Sequence, residues 1–198
     1  MRTELVISAS SDRADIALLE DGRLQELIKE KGDDNFSVGD VYLGTVKKLA
    51  TGLNAAFVDV GYEKDAFLHY QDLGPQINSW QSYLRRTLKG KQQSNLTNFK
   101  NEANISKEGN IGDVLKRGDQ ILVQITKEPI STKGPRITAE LSIAGRFVVL
   151  VPFSNRVSVS QKIRDREEKD KLKNLVRSIK PKGFGVIIRT VAKGQSAE

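Results

Sequence analysis

The sequence predicts an α+β chain that is mostly β and is built around a small closed barrel of five strands. Residues 41–69 contain three short runs in which every second residue is apolar. Two further runs of the same kind follow at residues 120–125 and 135–143, whereas helical spacing is found at residues 172–179. Alternation with a period of two indicates half-buried strands, and a period near 3.6 indicates an amphipathic helix.

The first three barrel strands place aromatic residues at alternate positions. Phe57, Phe67 and His69 share the period of two, and three lysines lie close by at positions 47, 48 and 64. One interpretation is a surface on which unpaired bases stack, worth roughly 1–3 kcal/mol for each base. The other is that Phe57 and Phe67 fill the barrel core. These residues alone leave both interpretations open.

The remaining strands complete a barrel of the OB type. Residues 114–125 contain a Gly118-Asp119 turn followed by an alternating strand, and residues 134–143 supply the last strand. Five strands with this turn before the fourth fit a small closed OB-fold barrel. The pattern over residues 39–142 resembles the S1 RNA-binding domain. That resemblance implies RNA contacts for Phe57, Phe67, His69 and Lys133.

The segments around the barrel carry a second resemblance. Residues 4–9 and 16–27 are expected to form a β-hairpin with an Asp-Gly turn. Residues 142–150 and 185–198 carry the most specific part of the resemblance. The chain, except for an insert at about 74–112, is similar to the amino-terminal portion of the bacterial ribonuclease E/G family, single-strand-specific endoribonucleases of RNA decay and ribosomal RNA processing. This resemblance implies that the chain has three parts. Residues 1–38 would belong to a ribonuclease-H-like subdomain, residues 39–142 to the S1 domain and residues 143–198 to a 5′-sensor.

The same resemblance implies a pocket for a 5′-monophosphate. Its residues would be Gly145, Val149, Arg189 and Thr190, with Arg189 pairing with the phosphate and Thr190 adding a hydroxyl donor. Taken without the family, an Arg-Thr pair at the end of a strand is more simply a structural ion pair. Residues 161–162, Gln and Lys, stand where the family is richer in arginine.

The insert at residues 74–112 has two interpretations. In the first, Trp80 and Tyr83 stack on RNA while Arg85, Arg86 and Lys89 meet phosphates. In the second, a short surface helix packs Trp80 on the barrel and a solvated segment follows. The second interpretation is the simpler one, and the sequence does not assign the insert a role.

Composition agrees with a cytoplasmic RNA-binding protein. The 198 residues carry 32 Lys and Arg against 25 Asp and Glu, a net charge of +7, which attracts phosphates mildly. There is no cysteine, which excludes disulfides and thiolate metal sites. Neither a signal peptide nor an apolar run long enough to cross a bilayer is visible.

No paired carboxylates suggest a catalytic centre, so we expect these 198 residues alone to be inactive. In the family, cleavage uses magnesium held by carboxylates further along the chain, and the parent protein is expected to be a homo-oligomer that acts on single-stranded RNA with a 5′-monophosphate. The alternatives are a non-enzymatic S1-domain adaptor in translation or ribosome assembly and a barrel used only for protein contacts.

Overall fold

The opening strands form a three-stranded antiparallel sheet in the computed structural model, which describes residues 2–10, 13–31, 36–91 and 96–195. Its strands are β1 (Thr3–Ala9), β2 (Arg13–Glu20) and β3 (Arg23–Lys31), in that spatial order. The Asp-Gly turn joins β2 to β3, with φ of 47° at Asp21 and 77° at Gly22. Positive φ at both central residues is what a two-residue hairpin turn of type I′ requires.

The prediction of a hairpin with an Asp-Gly turn is therefore correct for β2 and β3, but the sheet has a third strand. Strand β1 pairs along its whole length with β2, from Thr3 opposite Glu20 to Ala9 opposite Ala14. Apolar residues on this sheet are exposed on both faces, since adjacent residues of β1 point to opposite sides. The most exposed are Leu5, Val6, Ile7, Leu24, Leu27 and Ile28.

Five strands close into a barrel, which confirms the predicted fold. They are β4 (Val41–Ala50), β5 (Ala55–Asp59), β6 (Ala66–His69), β7 (Gln120–Lys127) and β8 (Arg136–Thr138). The spatial order is β4-β5-β6-β8-β7, and pairing of β7 with β4 completes the ring. Alternate residues such as Val58, Leu68 and Ile137 are fully buried, so each strand contributes every second side chain to the core.

Two short helices of the insert close one part of this barrel. They are α1 (Ile77–Leu88) and α2 (Ile111–Val114). The first residue of each, Ile77 and Ile111, is 1% exposed and belongs to the barrel core. The helix predicted by the second interpretation of the insert is thus present, and it is anchored at its beginning.

The last part of the chain is a four-stranded sheet covered by one helix. Its strands are β9 (Ile143–Ala144), β10 (Val148–Pro152), β11 (Val157–Val159) and β12 (Phe184–Ile188), in the order β11-β12-β10-β9. Helix α3 (Arg166–Ile179) packs on it through Leu172 and Val176. Asp165 caps α3, because its carboxylate accepts hydrogen bonds from the backbone N–H groups of Glu167 and Glu168.

The predicted apolar stripe of α3 is only partly used. Leu172 and Val176 are buried and Leu175 is half-buried, but Ile179 is 67% exposed at the end of the helix.

Within the described residues, no helix is both long enough and apolar enough to span a bilayer.

Candidate nucleic-acid interface

Phe57 and Phe67 lie on the outside of the barrel. They are directly opposite each other in the antiparallel pair of β5 and β6, and their ring centroids are 5.9 Å apart in an edge-to-face arrangement. Both are half-buried and neither belongs to a core cluster, whereas Ala56 and Leu68 are fully buried. The core-filling interpretation of the two phenylalanines is therefore wrong: the core is filled by their neighbours.

The two rings form the centre of a row that crosses four strands. Lys48 of β4 is the register partner of Phe57, and Arg136 of β8 is the register partner of Phe67. Directly paired residues project from the same face of a sheet, so the row reads cation, ring, ring, cation. We name Lys48, Phe57, Phe67 and Arg136 the aromatic row. Such a surface offers stacking faces with a phosphate-binding charge on either side.

Arg136 is the member of this row that the sequence prediction missed. Its neighbour Ile137 is fully buried, so strand alternation could have shown that Arg136 points outward. Its position beside Phe67, however, depends on the parallel pairing of β6 with β8. That pairing joins distant parts of the chain and leaves no local signal.

Lys133 faces the same surface from the loop between β7 and β8. Together with the two rings it lines an open groove with a volume of about 580 Å³. The loop lies against the backbone of Lys64 and Asp65, where a Cβ on Gly134 would collide with the carbonyl oxygens of both residues. A glycine at position 134 is thus required for the loop to hold Lys133 at the groove. The groove is also lined by Lys64, Asp65, Thr132, Gly134 and Arg136.

The cations around the groove differ in their availability. Lys47 Nζ lies 2.9 Å from Asp59 Oδ2, and Arg136 donates from Nε and Nη2 to Asp72 Oδ2 at 3.3 and 2.9 Å. Lys48, Lys64 and Lys133 have no carboxylate within ion-pair distance among the described residues. These three lysines can therefore approach a phosphate without breaking an existing pair; they are accordingly the strongest candidates for phosphate contacts.

The Lys47–Asp59 pair shifts the titration of both groups. A hydrogen bond from the Gly61 N–H, followed by the hydrogen bond from Lys47, lowers the pKa of Asp59 below its usual value. The hydrogen bond to Asp59 and its negative charge raise the pKa of Lys47. Both residues thus stay charged over a wider pH range than isolated side chains would.

His69 ends strand β6 two residues after Phe67, so it projects on the same side of the strand. Its Nδ1 accepts a hydrogen bond of 3.2 Å from the backbone N–H of Gln71. This contact fixes the half-buried ring and leaves Nε2 for a ligand. The three aromatic residues and Lys133 predicted from the sequence are thus on one surface of the barrel.

The other predicted site lies at the end of the four-stranded sheet. Arg189 Nη1 donates a 2.6 Å hydrogen bond to the carbonyl oxygen of Gly145, and the Arg189 N–H donates to Phe147 O at 2.8 Å. The Gly145 N–H in turn donates to Val148 O at 2.8 Å and closes a tight turn. Gly145 and Arg189 are therefore in direct contact, and the guanidinium is oriented by the turn.

Thr190 and Val149 are the other two residues that the sequence predicts for this site. The Thr190 hydroxyl lies 3.0 Å from the hydroxyl of Ser160, a partner that the sequence prediction did not include. Val149 pairs with Ala144 and Ile187 on the face of the sheet opposite α3. The guanidinium makes one hydrogen bond with the described residues, so most of its five N–H donors are available to an anion.

The aromatic residues of the insert are used internally. Trp80 packs edge-to-face on Phe153 with centroids 4.7 Å apart, and Tyr83 contacts both Phe153 and Phe99 at 5.7 Å. Arg86 lies 5.4 Å above the ring of Phe99. We name Trp80, Tyr83, Phe99 and Phe153 the insert cluster. Trp80 therefore packs on Phe153, which directly follows β10, whereas the simpler interpretation expected it to pack on the barrel.

The family resemblance implies a magnesium ion for cleavage, and the residues present do not fit one. Among the described residues, no group of three His, Asp or Glu side chains is close enough to hold a metal ion.

Comparison with known proteins identifies the family. The ribonuclease E/G family model matches residues 142–198. Over all of the chain, 38% of residues are identical to a ribonuclease E/G-like protein of Porphyra purpurea, of which 33% is covered. Ribonuclease G of Escherichia coli (strain K12) is 31% identical over 98% of the chain and 36% of that protein, and ribonuclease E of Nostoc sp. is 34% identical over 92% and 23%.

The chain is thus similar along its whole length to proteins of the ribonuclease E/G family, and its residues 142–198 match the family model. The chain spans about a third of the length of the Porphyra and Escherichia relatives.

Proposed function

We propose that these 198 residues are the RNA-binding part of an endoribonuclease of the ribonuclease E/G type. The observation that carries the proposal is the aromatic row, in which two outward rings lie between two cations on the barrel surface. Unpaired bases can stack on Phe57 and Phe67, since every base has a π-face, while Lys48 and Arg136 meet the flanking phosphates. A duplex keeps its bases stacked on one another, so the row selects single strands.

We propose further that the second site recognises a 5′-monophosphate. Arg189 is oriented by the Gly145 carbonyl and presents its remaining N–H donors, and Thr190 and Ser160 add hydroxyl groups. A planar guanidinium binds phosphate through paired, charge-assisted hydrogen bonds, which are roughly twice as strong as neutral ones. A 5′-hydroxyl end offers no such charge, and the site would therefore distinguish the two kinds of RNA end.

Cleavage itself is assigned to parts of the protein outside these residues. Among the described residues, no cluster of three or more His, Asp or Glu side chains could hold a metal ion. Magnesium-dependent hydrolysis, assembly of the parent protein into a homo-oligomer and a cytoplasmic location are supported by the family resemblance alone. Under this proposal the chain positions the RNA and selects its end, and the nuclease part cuts it.

The test is a binding comparison with three RNA molecules of matched sequence: a single strand with a 5′-monophosphate, the same strand with a 5′-hydroxyl, and a duplex. Fluorescence anisotropy at low and moderate salt should rank them in that order of decreasing affinity. Equal affinity for the duplex and the hydroxyl-ended single strand would contradict the function of the aromatic row. Equal affinity for the two single strands would contradict the phosphate site only.

The second candidate function is a non-enzymatic RNA-binding adaptor. It would use the same aromatic row to bind RNA, so the binding comparison does not distinguish it from the first. An RNA cleavage assay on the full-length protein that contains this chain distinguishes the endoribonuclease from the adaptor. An adaptor would bind single-stranded RNA without cutting it.

A further inference from the structure

We propose that a second cavity, between the end of β6 and the insert, binds one unpaired nucleobase. It has a volume of about 450 Å³, which is in the size range of small-molecule sites, roughly 300–1,000 Å³. It is distinct from the groove at the aromatic row, with which it shares no lining residue. Its lining residues include Tyr70, Gln71, Pro75, Ile105, Lys107 and Glu140.

The apolar part of this cavity is held in place by hydrogen bonds. The Tyr70 hydroxyl donates to Ser106 O at 2.8 Å, so its buried ring has a fixed position. The Ile105 N–H donates to Pro75 O at 3.0 Å and brings the half-buried Ile105 beside Pro75. The cavity is therefore preformed, which lowers the entropic cost of binding a flat apolar ligand.

The polar part of the cavity has hydrogen-bonding capacity that the protein does not use. The side chains of Gln71, Lys107 and Glu140 make no hydrogen bond or ion pair with the described residues. An amide, an ammonium and a carboxylate supply both donors and acceptors, as the edge of an unpaired base requires. An apolar floor with a few unsatisfied polar groups is typical of a small-molecule or base-binding site.

Residues 69–72 connect the cavity to the proposed RNA surface along the chain. His69, on the side of Phe67, is bonded to the backbone of Gln71, whose side chain lines the cavity. The next residue, Asp72, holds Arg136 of the aromatic row. A strand that stacks on Phe67 and passes His69 therefore reaches Gln71 next. This inference rests on the proposed RNA-binding function, and it assigns residues 105–107 of the insert a role in binding.

The test uses 5′-hydroxyl oligouridylates from about 4 to about 16 nucleotides, the span of OB-fold site sizes. The variants are Gln71→Ala and Lys107→Ala, with Lys171→Ala on the exposed face of α3 as the matched control for charge. We expect both cavity variants to weaken the longer oligonucleotides about fivefold or more and to leave the shortest unchanged. Lys171→Ala should change neither. A 4-thiouridine oligonucleotide should crosslink to peptides containing Gln71 or residues 105–107.

Failure of this inference differs from failure of the proposed function. If Phe57→Ala weakens every length but the cavity variants weaken none and no crosslink forms there, the cavity assignment is overturned and the aromatic row stands. If Phe57→Ala has no effect either, the proposed function fails. Free uridine tests whether the cavity takes a base of the RNA strand or a free nucleoside. If uridine protects the cavity from crosslinking, and the cavity variants lose affinity equally for every oligonucleotide length, the assignment to the RNA strand is overturned.

Discussion

Trp80 of the insert and Phe153 at the end of β10 pack edge-to-face, with ring centroids 4.7 Å apart and an interplanar angle of 88°. This contact joins the helix that is anchored in the barrel core to the sheet that carries Arg189. Asn101 Nδ2 adds a hydrogen bond of 2.9 Å to Phe153 O across 52 residues of sequence. The insert is therefore a structural link between the two candidate sites.

Phe153 adopts a backbone conformation that its side chain does not favour. Its φ is 59°, in the left-handed region, where a bulky residue is an outlier. Such a conformation costs roughly 1–3 kcal/mol and persists where the surroundings determine it. Here the N–H of Phe153 donates to Gly183 O and its carbonyl accepts from Asn101, while the residue as a whole is only 4% exposed. Packing of the ring outweighs the strain.

The first prediction concerns the insert cluster. Phe153→Ala should lower the free energy of unfolding by about 3–5 kcal/mol, because a buried aromatic ring is lost and leaves a cavity. Urea denaturation followed by the fluorescence of Trp80, the single tryptophan of the chain, measures this directly. Phe147→Ala is the matched control, since Phe147 is 36% exposed and should cost much less. A similar loss in both variants would contradict the role of the cluster.

The second prediction concerns the two outward rings. Phe57→Ala and Phe67→Ala should each weaken single-stranded RNA binding by about 1–3 kcal/mol, because a stacking face is removed. Fluorescence anisotropy measures the affinity, and circular dichroism checks that the barrel is intact. Leu53→Ala, at a 61% exposed position between β4 and β5, is the control and should leave affinity unchanged. Unchanged affinity in both phenylalanine variants would show that the row does not bind RNA.

The third prediction uses two neighbouring lysines. Lys48 is in the aromatic row without a carboxylate partner, whereas Lys47 is paired with Asp59. Lys48→Ala should reduce the slope of log K against log salt by about 0.7, the value for one phosphate contact on a single strand. Lys47→Ala should reduce it less. Equal slopes for both variants and the wild type would place the phosphates elsewhere.

The fourth prediction concerns Arg189. Arg189→Ala should remove the preference for a 5′-monophosphate, which we expect to be about 1.5–3 kcal/mol for a charge-assisted hydrogen bond. Binding of the hydroxyl-ended strand should not change, because that end makes no contact with the guanidinium. Arg189→Lys should keep part of the preference as a point charge without the planar fork. A preference that survives in Arg189→Ala would disprove the assignment of this site.

The fifth prediction is a pH dependence of stability. Since the pKa of Asp59 is lowered on folding, its contribution is present above its usual value of 3.8 and is lost as the pH falls through the folded pKa. The contribution of Lys47, whose pKa is raised, is present below 10.5 and is lost as the pH rises through its folded pKa. Asp59→Asn keeps a side-chain oxygen that accepts from the Gly61 N–H but removes the negative charge. It should therefore lower the melting temperature only at pH values between the folded pKa of Asp59 and the folded pKa of Lys47.

The control for this pH profile is Asp65→Asn, which removes a charge that acts on Lys47 without an ion pair. Its effect on the melting temperature should be smaller at every pH. A constant difference between Asp59→Asn and the wild type from acid to alkaline pH would mean that the charge of Asp59 does not contribute.

The barrel could be predicted because its strands depend on local alternation, whereas the outward direction of Phe57 and Phe67 became clear only from the structure. A strand with one buried face must bury every second residue, so the buried Ala56 and Leu68 already place Phe57 and Phe67 outside. Helix α3 was predictable for a similar reason, as its apolar spacing and its acidic first turn are both local.

The aromatic row and the insert cluster could not be predicted, since both depend on contacts between distant segments. Arg136 reaches Phe67 only through a parallel pairing that closes the barrel, and Trp80 meets Phe153 through a fold of the whole insert. The third strand of the first sheet was also missed. All of β1 except Glu4 is exposed, so no buried alternation marks how it pairs.

Closure of the barrel has a consequence for the order of folding. The β2–β3 hairpin joins neighbouring residues through a two-residue turn and can form within about 1–10 μs. The barrel instead needs contacts such as that of Gln124 with Gly39, separated by 85 residues. Long-range pairing slows folding, because the entropy of loop closure is lost before the contacts form. The groove that holds Lys133 beside the rings therefore exists only after the slowest step, and RNA binding should appear last in a refolding experiment.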